Sequence, residues 1–336
     1  MRGHHVITAA AACVLLGLSA GCGTTSDNRG GGGQAGANGA ECGGPDGDYL
    51  IGVSQANVAE PYRQRMDDDI RAAAKSVPQF SVEFADAAQD NSKQVNDVDN
   101  FLTKQIDLLI ISPNEATPLT SVVAKSYNKG IPVIVLDRKV DGDAYTTWIG
   151  ADNVEIGRQA GKFVAEKLLP NGGKLAELKG LAGSTPAKER SDGFHESING
   201  KNIEIVTTAD GDWLRDKGQE KGDAILKSHP DVQVVYSHND PMAEGAYLAA
   251  KAAGKESAVK FVGIDGLPIP AGGLKAVEAG RLAATFIYPT AGKEAVETAK
   301  KLLIDCQQVP KTQTLQTELI TQENAVRVYT RLNSGS

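Results

Sequence analysis

The feature that most constrains this chain is an alternation. From Tyr49 onward, short apolar runs rich in β-branched residues take turns with segments of helical period. The runs are "YLIGVSQ", "SVEFADA", "LLIISP", "PVIVLD", "YTTWIGAD", "KLAELKG", "IEIVTTAD", "VQVVYSHN", "VKFVGIDG" and "LAATFIYP"; residues 63–76, 95–104, 154–169 and 243–253 show helical spacing. Continuous apolar runs suit strands covered on both faces, and strand followed by helix this often implies parallel sheets flanked by helices. The expected fold class is α/β, doubly wound. About ten strands exceed one sheet of modal size, so two sheets of about five, in two lobes joined by a hinge, are expected.

In open α/β sheets ligands bind in the crevice outside the carboxyl ends of the strands. Those ends carry Gln55 and Asn57, Asp86, Ser112 and Asn114, Asp137 and Arg138, Asp152, His238 with Asn239 and Asp240, Asp265, and Tyr288. Asp152, Asp240 and Asn114 precede helical segments and are read as helix caps. His238 alternates away from Asn239 along its strand and is read as structural. The stretch "IPVIVLDRKV" shows the pattern most sharply, since its apolar run stops at Asp137 and Arg138. The adjacent arginine is expected to hold Asp137 ionised; a surface-turn salt bridge is the plainer alternative.

Carboxylate, guanidinium and amide groups make paired hydrogen bonds, and the aromatic faces of Tyr62, Trp213 and Tyr288 can pack on C–H surfaces. A ligand with several hydroxyls and no net charge uses all of these, which describes a sugar or polyol. Enzymatic readings do less well. The sequence holds no "GxxxxGK[ST]" loop and no "GxSxG" elbow. Asp137 and Asp265 could serve a glycosidase, but a carboxylate kept ionised accepts rather than donates a proton. A binding protein without a cofactor is expected. The net charge of −7 and pI near 5.4 argue against nucleic acid.

The first residues read as a processing segment. Residues 6–18 form an apolar run of ~13 residues covering ~20 Å, short of the ~30 Å hydrocarbon core. "LSAGC" follows, ending at Cys22. Residues 1–21 are therefore assigned to a signal peptide. Residues 22–48, which include "GGGG", cannot bury enough apolar surface to order themselves and are assigned to a flexible tether. With Cys13 removed and Cys22 lipidated, as the resemblance of "LSAGC" to a bacterial lipobox implies, Cys42 and Cys306 are the two remaining thiols in an oxidising compartment. Cys42 precedes the first strand and Cys306 follows a late helix, and strand starts and helix ends share one pole of a βα unit. A Cys42–Cys306 disulfide is expected, with two free cysteines as the alternative. A metal site is not expected, because ligand spacing is missing.

"LSAGC" resembles the lipobox of bacterial lipoproteins, which implies a lipid on Cys22 and an extracytoplasmic protein held at the cell membrane; an ordinary secretory signal is the alternative. The body resembles the type I periplasmic sugar-binding proteins of ABC transporters, in their ribose-binding and galactofuranose-binding branch. The segments that carry the resemblance are "IGVSQANVAEPYRQ", "IDLLIISPNEATPL", "GIPVIVLDRKV", "GADNVEIGRQAG", "AKERSDGF", "GDWLRDKG", "VVYSHNDPMAEGA" and "FVGIDG". It implies two Rossmann-like lobes, an N-terminal one from 49–150 plus 289–320 and a C-terminal one from 151–288 plus 321–336.

Carried over by position, the resemblance implies that Asp137 and Arg138 bind sugar hydroxyls from the first lobe, and Arg190, Trp213 and Asn239 from the second. Asp265 closes the ring, and Tyr288 stands at the hinge where ribose binders carry glutamine. Tyr62 and Arg63, an aromatic followed by arginine, and Gln55 match the galactofuranose-like branch. These departures point away from ribose toward a furanose, hexose or polyol. The implied partner is an ABC permease, and a monomer is the simplest expectation for a hinging carrier. The alternatives are an exported sensor that presents ligand to a chemoreceptor or kinase, and a quorum autoinducer binding protein. A sugar-responsive repressor would need a basic DNA-binding N-terminus in place of the apolar run.

Overall fold

The structure, a computed structural model, describes residues 42–334. The expected signal peptide, most of the expected tether and Cys22 lie outside the described residues. Strands and helices are numbered in chain order. The chain opens with β1 (Tyr49–Gln55), α1 (Pro61–Ala74), β2 (Phe80–Asp86), α2 (Asn91–Thr103), β3 (Leu108–Ile111), α3 (Ala116–Asn128), β4 (Val133–Leu136) and β5 (Thr147–Ala151). A second set follows: α4 (Asn153–Phe163), β6 (Gly173–Lys179), α5 (Thr185–Ile198), β7 (Ile203–Asp210), α6 (Arg215–Ser228), β8 (Val234–Ser237), α7 (Asp240–Ala252), β9 (Lys260–Val262), α8 (Gly273–Glu278) and β10 (Thr285–Ile287). The chain then returns through α9 (Gly292–Leu303) and β11 (Thr312–Leu315), and ends with β12 (Glu318–Ile320) and α10 (Ala325–Asn333).

Among the described residues the strands form one sheet of order β11-β5-β4-β3-β1-β2, one of order β7-β6-β8-β9, and a ribbon of β10 with β12. The six- and four-stranded sheets are parallel throughout, as the alternation implies. The expectation of two five-stranded sheets is corrected in detail. β11 extends the first sheet to six strands, while β10 pairs antiparallel with β12 and touches β9 and the loop after it through single bridges. The two late strands are short, and β11 carries half-exposed polar residues, so they lack the apolar run that marks a covered strand.

Local sequence sets the boundaries. Asp152 caps α4 by accepting from the Glu155 N–H at 3.0 Å, and α1 and α5 carry proline in the first turn, where the missing N–H costs nothing. Two of the expected caps are otherwise employed. Asp240 is the first residue of α7 rather than its cap, because Asn239 takes that place; its carboxylate accepts from Thr285 Oγ1 at 2.7 Å and the Gly266 N–H at 2.8 Å. Asn114 lies two residues before α3 and donates instead to the Gln89 carbonyl and to Asn91 Oδ1. The expected helix over 154–169 finishes as a π-helical turn at Val164–Leu168.

The chain passes between the sheets at three places: from β5 into α4, from β10 into α9, and from β11 into β12. Strand ends of the first sheet are level, with Gln55 opposite Asp86 and Ser54 opposite Ile111. A disulfide joins Cys42 to Cys306, which stand 264 positions apart in sequence with Cα atoms 5.6 Å apart. It lies at the start of β1, where the Tyr49 hydroxyl donates within hydrogen-bond distance of the Leu303 and Gly44 carbonyls, the pole opposite the strands' carboxyl ends.

Candidate functional site

The carboxyl ends of both sheets face one another across a small cavity. It is lined by Tyr62, Arg63, Asp137 and Arg138 from the first lobe, Arg190, Trp213, Asn239 and Asp265 from the second, and Tyr288 on a connection between them. Glu60 and Pro186 complete the wall. Gln55 is not part of it: the end of β1 turns this side chain toward α1, where its amide donates to Asp67 Oδ1 at 2.8 Å. Glu60 escaped the sequence reading because it follows β1 in a loop rather than ending a strand. The signal for it was its place one residue before the proline that opens α1.

Asp137 is the hub. Its Oδ2 accepts from Arg63 Nη2 at 2.6 Å and its Oδ1 from the Tyr288 hydroxyl at 2.6 Å. The adjacent Arg138 helps to keep it ionised through charge, as expected, while the hydrogen bonds come from Arg63 and Tyr288. Arg138 turns away to donate to the Asn114 carbonyl at 2.9 Å and stands 3.7 Å from the Glu60 carboxylate. The reason is the backbone: Asp137 has φ of +59°, a left-handed turn that sends consecutive side chains in different directions. Burial pushes the Asp137 carboxyl up, but Arg63, Arg138 and the Tyr288 hydroxyl together hold it below the ordinary carboxylate range. Burial and the nearby Arg63 lower Arg138 to about 10, against the pull of Glu60 and Asp137.

The second lobe supplies a guanidinium between aromatic faces. Arg190, on α5, donates through Nε to Asn153 Oδ1 at 2.8 Å and through Nη1 to the His238 carbonyl. Its guanidinium lies 4.6 Å from the centre of the Tyr288 ring and 5.4 Å from that of Trp213, within cation–π range. The Trp213 indole seats flat against Gly180, where a Cβ would fall 2.1 Å from the ring. Asn239 donates to the Trp213 carbonyl at 2.9 Å while capping α7. His238 is fully buried and shares the equally buried Glu177 with His195, so it points into the second lobe and not into the cavity.

Asp137, Trp213 and Asp265 all have positive φ, at +59°, +70° and +136°. Each such residue costs on the order of 1–3 kcal/mol and persists only where surroundings enforce it. The three share this cavity. Burial, and next the nearby Asp240, push the Asp265 carboxyl well above its ordinary range.

Several buried polar atoms here have no hydrogen-bond partner within the protein: Arg63 Nε, Arg138 Nε and Nη2, Trp213 Nε1 and Asp265 Oδ2. Leaving a buried polar atom unpaired costs about 1–3 kcal/mol. Unpaired polar atoms from both lobes therefore belong to the walls of this one space. Around it the lobes are joined directly. Lys139 Nζ meets Glu189 Oε1 at 2.6 Å, the Lys139 N–H donates to Thr185 Oγ1, Gln89 donates to the Asp212 carbonyl, and the Ala116 N–H donates to the Gly183 carbonyl. The cleft is closed. No group of side chains among the described residues is arranged to hold a metal ion.

Comparison with known proteins places this geometry. The periplasmic binding protein domain profile matches residues 25–305. The ribose import binding protein RbsB of Bacillus subtilis is 33% identical over 258 residues, 76% of this chain and 82% of that protein. Among solved structures, the fructose-binding periplasmic domain of a hybrid two-component system is 43% identical with a TM-score of 0.82, covering 85% of this chain and 95% of that one. A Mycobacterium smegmatis protein solved with β-D-fucofuranose is 32% identical with a TM-score of 0.79, over 85% of this chain and 95% of the other.

Proposed function

The chain belongs to the periplasmic binding protein family, among its type I sugar-binding members, and on that premise we propose that it captures a neutral monosaccharide or polyol in the closed cleft and hands it to an ABC permease. One observation carries the reading: the buried polar atoms without a hydrogen-bond partner on Arg63, Arg138, Trp213 and Asp265 belong to residues that line one small cavity between the lobes. Hydroxyls both donate and accept, and can satisfy the whole set at once.

Furanose forms are the favoured ligand class. The neighbours solved with fucofuranose and the fructose-binding domain support this, and the Tyr288 hydroxyl is already spent on Asp137. In this mechanism the lobes open at the three connections, and a sugar that touches both lobes shifts the population toward the closed form by its differential affinity. The permease would recognise that form. A lipid on Cys22 would keep the monomeric receptor near its transporter by raising effective concentration. The role is binding and not catalysis.

The test is a melting-temperature screen against fructose, arabinose, galactose, ribose and myo-inositol. A ligand of the folded state raises the melting temperature with the logarithm of its concentration, and Asp137→Ala should abolish the shift. No shift from any carbohydrate would overturn the reading. The likeness to a domain of a hybrid two-component system favours a second output, presentation of the closed form to a sensor kinase. Neighbouring genes for a permease and an ATPase, or for a kinase, separate the two.

A further inference from the structure

The cavity between the lobes is not a dead end. A second chamber, about 680 Å³ including the space open at its mouth, adjoins it, and Glu60, Trp213 and Asp265 line both. Its outer walls come from both lobes, with Pro61 on one side and Leu214, Pro241, Leu267 and Ala271 on the other. These are C–H surfaces of the kind that pack on a sugar face. Glu60 and Glu244 also line it, against Arg215 as its cation, so a negatively charged occupant gains nothing there. A cation is not required. Asp240 is already bonded by Thr285 and the Gly266 N–H, and Glu244 by Arg281 at 3.0 Å and Arg215 at 3.3 Å.

We propose that the natural ligand is a neutral two-unit sugar or glycoside, with one ring in the inner cavity and its partner unit in the outer chamber, joined past the shared wall of Glu60, Trp213 and Asp265. This rests on the sugar-binding reading above and replaces its single unit by a linked pair, the first of which keeps the inner cavity. The outer chamber is the larger of the two and shares the walls of Glu60, Trp213 and Asp265 with the inner cavity. Trp213 Nε1 and Asp265 Oδ2, both buried and without hydrogen-bond partners in the protein, give the passage two polar atoms for a ligand to pair. A ligand crossing between the chambers meets both.

The experiment is titration calorimetry on the full chain with its disulfide oxidised. Three pairs are compared: fructose with sucrose, arabinose with arabinobiose, and galactose with lactose. At least one disaccharide is expected to bind about tenfold tighter than its own monosaccharide, a gain of ~1.4 kcal/mol. Ala271 is exposed at the outer wall, so Ala271→Trp should fill the chamber, remove that gain and leave the monosaccharide within about twofold. Retained monosaccharide binding also shows that the variant is folded. If monosaccharides bind and no disaccharide binds tighter, or if Ala271→Trp weakens both alike, the outer subsite is wrong while the sugar reading stands. Binding of no carbohydrate at all would overturn both.

Discussion

Arg63 and Asp137, 74 residues apart in sequence, form an ion pair of 2.6 Å with both side chains buried. The pair ties α1 to the end of β4 and points the carboxylate at Tyr288 on the connection between lobes. Removing one partner of a buried pair leaves a bare charge, which costs ~3–5 kcal/mol. Arg63→Met should therefore lower stability by about that amount, and Arg63→Met with Asp137→Leu should cost less than either change alone. Denaturant melts of the two single variants and the double variant test this. A purely additive double variant would mean that the pair is not coupled.

The link from Lys139 to Glu189 crosses between lobes and is partly exposed, at 37% and 20%. Exposed pairs of this kind are worth about 0.2–1 kcal/mol. Here the energy belongs to the closed arrangement. Lys139→Ala should weaken ligand binding by roughly 1.4- to 5-fold, mostly through faster dissociation, and the difference should shrink at high salt. Binding kinetics in low and high salt check it.

The sequence made the cavity's residues legible where a strand's apolar run breaks off. Asp137, Asn239 and Asp265 were found this way because covered strands admit polar groups only at their open ends. Gln55 ends its strand too, yet it serves α1 through Asp67, since the last side chain of a strand faces whichever layer its alternation dictates. What one sequence could not show is who holds whom. The left-handed backbone at Asp137 hands that carboxylate to Arg63 and frees Arg138 for Glu60, a choice made by torsion angles and not by adjacency. The short polar β11 and β12 stayed hidden for a related reason, as only tertiary pairing makes them strands.

Asp265 is held protonated over an unusually wide range, because burial and Asp240 push its carboxyl upward. The sign follows from proton counts. Above the ordinary carboxylate pKa of ~3.9 the unfolded chain has lost this proton while the fold keeps it, so stability falls as pH rises toward the folded value. Asp265→Asn removes that loss. The ligand-free variant should melt above the parent near neutral pH, with the gap closing as pH drops toward ~4. Melting curves across that range test it, and a gap that widens in acid would reverse the assignment.

The disulfide stands at the opposite pole from the cleft. Closing 264 residues restrains the unfolded chain, and loss of a native disulfide typically costs about 2–5 kcal/mol. Cys42→Ser with Cys306→Ser should lower stability by that much. Ligand affinity should stay within about twofold, since neither residue lines the cavity. A large loss of affinity would show that the pole and the cleft are coupled.

Gly180 sets the plane of Trp213. A Cβ there would sit 2.1 Å from the indole, closer than packed atoms allow, and the backbone of β6 leading to it is fixed by its neighbours on both sides. The indole must move instead, away from Gly180 and into the cavity. Gly180→Ala should thus weaken ligand binding by about tenfold or more, with a stability cost of ~1–3 kcal/mol from overpacking. The chain has two tryptophans, so Trp148→Phe leaves Trp213 as the sole indole reporter. In that background Gly180→Ala should change the emission of the ligand-free protein and reduce its response to sugar. If emission and affinity both stayed at the parent values, Trp213 would not be the surface on which the ligand rests.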